Sequence, residues 1–176
     1  MTWRLLDSKY IVQRPWLTAR CDQVLLPDGR KIDEYYDLEY PDWVNVIAIT
    51  KDGQFVMEKQ YRHALGIHSI EIPCGVMEKG ETPIQAAKRE LQEETGYGNG
   101  SWSQLMVIAP NPSTMNNLTY CFLAVGVEKI SEQSLDATED LVVDLMSESE
   151  VRALLEDNKI YQALMLAPLY KYFSTL

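Results

Sequence analysis

Glu90, Glu93 and Glu94 lie close together in the segment GVMEKGETPIQAAKRELQEETGY, which covers residues 75–97. On a helix, Glu90 and Glu94 stand one turn apart, with Glu93 beside them. Like charges at this spacing repel by roughly 0.2–0.5 kcal/mol per pair, in a chain of formal net charge −10. Because carboxylate oxygens suit Mg²⁺ or Mn²⁺, the spacing indicates a divalent-metal site. The alternative is a solvated acidic face.

The residues around these glutamates predict the helix that would position them. Thr82 is a good N-cap, Pro83 suits the first helical position, and Gln85 completes a capping box. Gly96 suits the position just after the last turn. We therefore expect a helix over residues 83–95.

One side of that helix is apolar. At about 100° per residue, Ile84, Ala87 and Leu91 share one arc and should face a core. The three glutamates occupy the neighbouring arc. Arg89 lies one turn before Glu93 and could hold its carboxylate in place.

Other segments predict strands before and after this helix. A hairpin is expected around Pro27-Asp28-Gly29 within residues 17–40, because this is a turn sequence. Further strands are expected at Val44–Thr50, Phe55–Tyr61, Ser69–Ile72, Gln104–Ala109, Leu118–Val127 and Leu141–Met146.

Two helices should close the chain. Ser147 and Glu150 have capping-box spacing and predict a helix that ends near Asn158. A last helix is expected over Tyr161–Tyr172, with an interruption before Pro168. The element order predicts a mixed α/β (α+β) fold. Residues 1–40 would form a small N-terminal antiparallel β unit, and residues 41–176 the main domain.

Composition excludes several classes of protein. The pI of about 4.6 argues against a nucleic-acid binder, which needs a basic surface. Three separated cysteines and two histidines make a disulfide framework or a structural zinc site improbable. No apolar run is long enough to span a membrane, and the start of the chain has no apolar leader. We expect a cytoplasmic protein with no membrane partner.

Residues 75–97 resemble the signature of the Nudix hydrolase family, G-x5-E-x7-R-E-U-x-E-E-x-G-U, in which U is bulky and apolar. Every fixed position matches, through Gly75, Glu81, Arg89, Glu90, Leu91, Glu93, Glu94, Gly96 and Tyr97. The resemblance implies a Nudix α/β/α sandwich that hydrolyses a nucleoside diphosphate linked to another group.

The same resemblance implies roles for the matching residues. Glu90 and Glu94 would be the main ligands of Mg²⁺, with Mn²⁺ as a substitute and Glu93 close by. The residue before the first glycine often adds its backbone carbonyl, here that of Cys74, since a thiol would not suit Mg²⁺. Glu81 and Arg89 would orient the ligands.

Two flanking stretches are similar to elements of ADP-ribose pyrophosphatases. They are EKQYRH, residues 58–63, and EIPCG, residues 71–75. In that group the arginine reaches a substrate phosphate, so Arg62 is the candidate here. The alternative is that Arg62 pairs with a surface carboxylate. Glu71 would accept a hydrogen bond from the base or a ribose hydroxyl, or be structural.

The general base is left open by the sequence. In ADP-ribose pyrophosphatases it tends to lie in an acidic loop, which corresponds here to SLDATEDLVV, residues 134–143. Glu139 or Asp136 would serve, or Glu93 would activate water directly. These loop carboxylates could also be solvated charges.

The N-terminal unit resembles the small domain that these enzymes exchange across a homodimer, where aromatic side chains sandwich the base. Trp16, Tyr35 and Tyr36 are the candidates by approximate position. The alternative for each is a core or interface aromatic.

The resemblance therefore implies metal-dependent hydrolysis of ADP-ribose or a related nucleoside diphosphate sugar to a nucleoside monophosphate and a sugar phosphate. Pro110-Asn111-Pro112-Ser113 matches a later family element only in part, and Asn116-Asn117 stands where the family often has Glu. GDP-mannose or another nucleotide sugar therefore remains an alternative substrate. A non-catalytic nucleotide sensor is the alternative from a different class; mRNA decapping and oxidised-nucleotide cleansing fit the flanking residues less well.

Overall fold

The computed structural model describes residues 2–175, which form two compact units. The first consists of the chain up to Pro41 together with Ala109–Leu118, and the second of Asp42–Ile108 with the chain from Thr119 onward. The sequence boundary between residues 40 and 41 lies one residue from this division. The inclusion of Ala109–Leu118 in the first unit was not anticipated.

The first unit is built on an antiparallel sheet of three strands in the order β1 (Arg4–Arg14), β2 (Leu17–Leu25), β3 (Lys31–Glu39). The turn at Gly29, where φ is 88°, joins β2 to β3 as predicted. Strand β1 was not predicted from the sequence. Register shifts between Leu5 and Asp7 and between Tyr10 and Val12 break the period of two by which a strand is recognised.

Arg20 on β2 links the strands of this sheet. Its Nε donates to both oxygens of Asp22 at 3.1 Å, and its amino groups donate to Asp37 at 3.1 Å and to Glu39. Ser8 on β1 donates to Asp22 at 2.6 Å. Burial acts to raise the pKa of Asp22, but the hydrogen bonds from Ser8 and Arg20 outweigh it and lower this pKa. We call these residues the Arg20 cluster.

The second unit contains a mixed sheet. In chain order its strands are β4 (Trp43–Thr50), β5 (Phe55–Arg62), β6 (Ile67–Glu71), β7 (Cys74–Val76), β8 (Tyr97–Gly98), β9 (Ser101–Ile108), β10 (Thr119–Lys129) and β11 (Leu141–Met146). The central order is β11-β5-β4-β10-β8, and β6, β7 and β9 pair with β5, β4 and β10. Strands β4 and β10 run parallel. The other pairs are antiparallel.

Helices cover both faces of this sheet: α1 (Pro83–Thr95) on one side, α2 (Glu148–Glu156) and α3 (Ala163–Phe173) on the other. Alternate residues of β4 show the division. Val44 and Val46 pack with α1, whereas Ile47 and Ile49 belong to the core that includes α2 and α3. The α/β/α arrangement predicted from the sequence is confirmed.

Helix α1 has the predicted bounds. Gln85 Oε1 accepts a hydrogen bond of 2.9 Å from the Thr82 N–H. Gly96 follows the last turn at φ 72°, and its N–H donates to Gln92. Ala87 and Leu91 are fully buried against the sheet. The helix ends are therefore fixed by local chemistry that the sequence displays.

Helix α3 runs through Pro168 without a break, so the expected interruption is wrong. Proline lacks an N–H, which leaves the carbonyl of Leu164, four residues earlier, without its usual helical donor. The side-chain amide of Asn45 on β4 donates to that carbonyl at 2.7 Å. The sheet thus supplies the hydrogen bond that the proline removes.

Among residues 2–175, none of the helices combines the length and the apolar character needed to cross a membrane.

Candidate active site

Two of the three clustered glutamates, Glu90 and Glu94, are buried. Glu90 and Glu94 are 7% and 5% exposed, whereas the side chain of Glu93 is 44% exposed. The alternative of a solvated acidic face is therefore wrong for Glu90 and Glu94. Two carboxylates have been brought out of water, which is costly unless something compensates their charge.

Arg89 gathers the acidic residues at one end of the site. Its Nε and Nη2 donate to the two oxygens of Glu81 at 2.8 and 2.9 Å, and Nη1 donates to Glu90 at 2.9 Å and Glu93 at 3.0 Å. Nη2 also donates to the backbone carbonyl of Val76. This guanidinium orients three carboxylates relative to strand β7.

Strand β7 fits closely against the glutamates. The backbone N–H of Cys74 donates to Glu94 at 2.9 Å. A methyl group at position 75 would overlap the carboxylate of Glu90, so glycine is required there. Burial raises the pKa of the Cys74 thiol well above its usual value, which keeps this thiol protonated and makes it unsuitable as a ligand.

Arg62 and Glu71 form a bidentate pair between β5 and β6. Nε and Nη2 of Arg62 donate to the two oxygens of Glu71 at 2.8 and 2.5 Å. Glu71 is 2% exposed, so this partner is a buried carboxylate and not a surface one. Nη1 of Arg62 takes no part in this pair.

The other buried carboxylates are under-compensated. Burial raises the pKa of Glu90 to about 7, although Arg89 acts in the opposite direction. Burial raises the pKa of Glu94 too, and the charges of Glu58 and Glu90 add to the effect. A raised carboxyl pKa means that the folded protein disfavours the negative form. Burial therefore outweighs the Arg89 guanidinium at Glu90 and the Cys74 N–H at Glu94, so the negative charge of both carboxylates is only partly compensated.

These residues fit a divalent cation of the hard type. Within residues 2–175 no three His, Cys, Asp or Glu side chains already converge in a metal-binding geometry. The acidic groups there are nevertheless all oxygen donors, and Oε1 of buried Glu58 has no hydrogen-bond partner in the described chain. Oxygen donors with uncompensated charge favour Mg²⁺ or Mn²⁺ over softer metals.

Glu58 is a buried carboxylate that was not predicted from the sequence to be a site residue. It lies on β5 at 4% exposure, and burial, followed by repulsion from Glu71, raises its pKa. A signal was present, because Glu58 follows Val56 by two positions and so belongs to the inward face of a strand.

The acidic loop places Glu139 near the buried carboxylates. The negative charge of Glu139 contributes to the raised pKa of Glu58, Glu90 and Glu94. Glu139 Oε2 accepts from the backbone N–H of Asp136 at 2.8 Å, while Asp136 itself is exposed. The charge of Glu139 is thus among the larger ones that act on all three buried glutamates.

The aromatic candidates belong to the first unit. Trp16 lies in the β1–β2 turn at φ 65° and is 76% exposed, an uncommon conformation for a large side chain. Tyr36 is half exposed. Tyr35 is engaged within the unit, since its hydroxyl donates to the carbonyl of Ser113 and its ring packs edge-on against Trp3. Trp16 and Tyr36 therefore present free ring surface.

Comparisons with known proteins agree with this geometry. The NUDIX domain matches residues 39–166, and the nucleoside diphosphate sugar hydrolase N-terminal domain matches residues 3–36. A methanol dehydrogenase activator of Bacillus methanolicus is 36% identical over 91% of this chain and 86% of its own length. An ADP-ribose pyrophosphatase of Bacillus subtilis (strain 168) is 33% identical over 81% of this chain and 77% of its own.

A solved structure shares the fold. The crystal structure of an ADP compounds hydrolase superposes with a TM-score of 0.87, covering 100% of this chain and 95% of that one at 20% identity. At that identity the likeness concerns the fold alone.

Proposed function

Because the chain belongs to the Nudix hydrolase family, we propose that it hydrolyses the pyrophosphate bond of ADP-ribose or a related nucleoside diphosphate sugar. The products would be a nucleoside monophosphate and a sugar phosphate. The observation that carries this proposal is the pair of buried, under-compensated carboxylates, Glu90 and Glu94, within a complete family signature. The similarity to an ADP-ribose pyrophosphatase supports the substrate class.

Glu90, Glu94 and the backbone carbonyl of Cys74 would hold a divalent cation, which we propose is Mg²⁺. When bound, such a cation supplies positive charge at the diphosphate and makes the attacking water more acidic. Arg89 keeps Glu81, Glu90 and Glu93 in place through the hydrogen bonds described above.

Two side chains are proposed to act on the reactants. Glu139 accepts the proton of the attacking water, with Glu93 as the alternative because it is partly exposed and close to Arg89. Arg62 contacts a substrate phosphate through Nη1, the amino group that lies outside its pair with Glu71. Glu71 then has a positioning role.

The first unit is proposed to mediate homodimerisation and to offer Trp16 and Tyr36 for stacking on the base. Large apolar side chains are exposed on its strands, among them Leu5, Ile11 and Leu17. Light scattering after size exclusion should give twice the chain mass of 20.2 kDa. A monomeric mass would contradict dimerisation without affecting the hydrolase proposal.

Product analysis on a nucleotide-sugar panel tests the activity. The protein is incubated with ADP-ribose, GDP-mannose and other nucleotide sugars, with MgCl₂, MnCl₂ or EDTA, and products are separated by ion-exchange chromatography. We expect AMP and ribose 5-phosphate from ADP-ribose, and no turnover in EDTA. Binding without turnover of any sugar nucleotide would instead support a nucleotide sensor.

The relative from Bacillus methanolicus favours a second candidate, in which this chain stimulates a dehydrogenase. Its test is the rate of methanol oxidation by a methanol dehydrogenase with and without this chain. If the wild type increases the rate and the inactive variant Glu94→Gln does not, the stimulation depends on the hydrolase site.

A further inference from the structure

Strand β5 presents an additional carboxylate on the sheet face that α1 covers. Val56 on this strand packs in the same core cluster as Ala87 and Leu91 of α1. Side chains two residues apart on a strand share a face, so Glu58 projects toward α1 as well. Its register partner on β11, Val143, also packs against that cluster.

Glu58 differs from Glu71, its register partner on β6. Both are almost fully buried, at 4% and 2% exposure. Glu71 has both oxygens bonded to Arg62. Oε1 of Glu58 has no hydrogen-bond partner within residues 2–175. A buried carboxylate oxygen without a partner is strongly destabilising unless a cation or donor arrives with a ligand.

The neighbours of Glu58 offer little compensation. The charges that act on its carboxyl include those of Glu71, Glu90 and Glu139, and Arg62 is the cation that opposes them. That cation is already committed to Glu71. Negative charges from β6, α1 and the acidic loop thus act together on the Glu58 carboxyl.

We propose that Glu58 is a further carboxylate ligand of the divalent-metal site, reaching it from strand β5 while Glu90 and Glu94 reach it from helix α1. This proposal rests on the proposed function, because it concerns the cation of the same site. Glu58 would add a ligand from strand β5 to those proposed from helix α1 and from the Cys74 carbonyl on strand β7.

Metal binding by the isolated protein tests the proposal. Isothermal titration of metal-free protein with MnCl₂ and with MgCl₂ is compared for the wild type, Glu58→Gln and Asp144→Asn. Asp144 is the matched control, because it lies on β11 next to Val143 but is exposed. We expect Glu58→Gln to weaken the affinity about tenfold or more, and Asp144→Asn to leave it unchanged.

Thermal unfolding separates a ligand from a structural carboxylate. Without metal, Glu58→Gln should leave Tm nearly unchanged, because burial already disfavours the negative form of this carboxyl and the amide has the same size. With saturating MnCl₂ the gain in Tm should be smaller for the variant than for the wild type, since stabilisation follows affinity. A carboxylate with a purely structural role would give a lower Tm for the variant under both conditions.

The location of the metal provides a test that does not depend on a variant. Wild-type crystals soaked in MnCl₂ should show anomalous density within coordination distance of the Glu58 carboxylate, roughly 2.0–2.6 Å for hard cations. If Glu58→Gln does not fold, Glu58→Met replaces it in the titration.

Failure of the Glu58 proposal and failure of the hydrolase proposal would give different results. An affinity of Glu58→Gln within threefold of the wild type, or density remote from Glu58, overturns the role of Glu58. The hydrolase proposal then stands, provided the wild type still binds Mn²⁺ and cleaves ADP-ribose. A wild type that binds neither metal overturns both.

Discussion

The Arg20 cluster and the carboxylates around α1 are both acidic groups gathered about arginine, and they differ in how completely each carboxylate is paired. In the Arg20 cluster, buried Asp22 accepts hydrogen bonds from Ser8 and Arg20, and its pKa is lowered. Around α1, Arg89 and Arg62 are committed to particular carboxylates, and the pKa of Glu90 and Glu94 is raised.

The direction of the pKa shift distinguishes Asp22 from Glu90 and Glu94, whereas burial raises the pKa of Asp37 within the Arg20 cluster. Where hydrogen bonds from cations outweigh burial, the charged form is favoured and the group stabilises the fold at neutral pH. Where burial outweighs those hydrogen bonds, the carboxylate lowers the free energy of unfolding. A bound cation would offset that loss. The first arrangement is suited to structure, and the second to binding.

Replacing a carboxylate around α1 should affect activity far more than stability. Glu94→Gln is expected to lower kcat/KM for ADP-ribose about 100-fold or more, a loss of about 2.7 kcal/mol of transition-state stabilisation. Its metal-free Tm should not fall, because the carboxyl it replaces is disfavoured in the charged form. Steady-state kinetics and thermal unfolding measure both. The matched control is Glu156→Gln, an exposed residue of α2. A fully active Glu94→Gln would refute the ligand assignment.

The reverse is expected in the Arg20 cluster. Arg20→Met leaves Asp22, Asp37 and Glu39 without their shared donor, which should lower the free energy of unfolding by about 1–3 kcal/mol. Urea denaturation with and without MgCl₂ measures this, and Mg²⁺ should not restore the loss. A variant whose stability returns to the wild-type value in MgCl₂ would show that the two clusters are not distinct in kind. Arg14→Met, an exposed residue of β1, is the control.

Acid should erase the contribution of Asp22. Since its pKa in the folded protein lies below the ordinary 3.8, its stabilisation is present above that value and is lost as the pH falls through the folded pKa. The Tm difference between the wild type and Asp22→Asn should therefore be largest near neutral pH and shrink on acidification toward pH values below 3.8. A pH-independent difference would mean that the charge of Asp22 is not what stabilises the sheet.

The smallest effect concerns the thiols of the two units. Cys74 and Cys121 of the second unit are buried, and burial raises the pKa of both thiols. Cys21 of the first unit is partly exposed. At pH 8 in native buffer, a thiol-specific reagent such as dithionitrobenzoate should modify one cysteine quickly, and Cys21→Ser should remove that reaction. Rapid reaction of two or three thiols would indicate that the second unit opens readily.

The local parts of this fold were predictable, and the parts that depend on distant partners were not. Thr82, Gln85 and Gly96 define the ends of α1 by contacts within a few residues, so their sequence positions sufficed. Strand β1 escaped notice because two bulges shift its apolar residues between faces. The path of α3 through Pro168 depends on Asn45, which is far away in the sequence.

In the candidate site, too, the local features were predictable and the features that depend on distant residues were not. The family signature predicted which glutamates lie together, because their spacing on one helix is a local property. It did not predict that Arg62 would be paired with buried Glu71 or that Glu58 would lack a partner, since both depend on strand register. The roles proposed for Glu93, Glu139, Trp16 and Tyr36 remain predictions.

The hydrogen bond between Asn45 and Leu164 has a consequence for how the chain tolerates variation. Asn45 donates to the carbonyl that Pro168 leaves without a helical donor, so the two positions should be energetically coupled. An apolar replacement such as Asn45→Val should be harmful on its own and mild when alanine also replaces Pro168, since the helix then supplies its own donor. Descendants of this sequence would be expected to exchange the asparagine and the proline together.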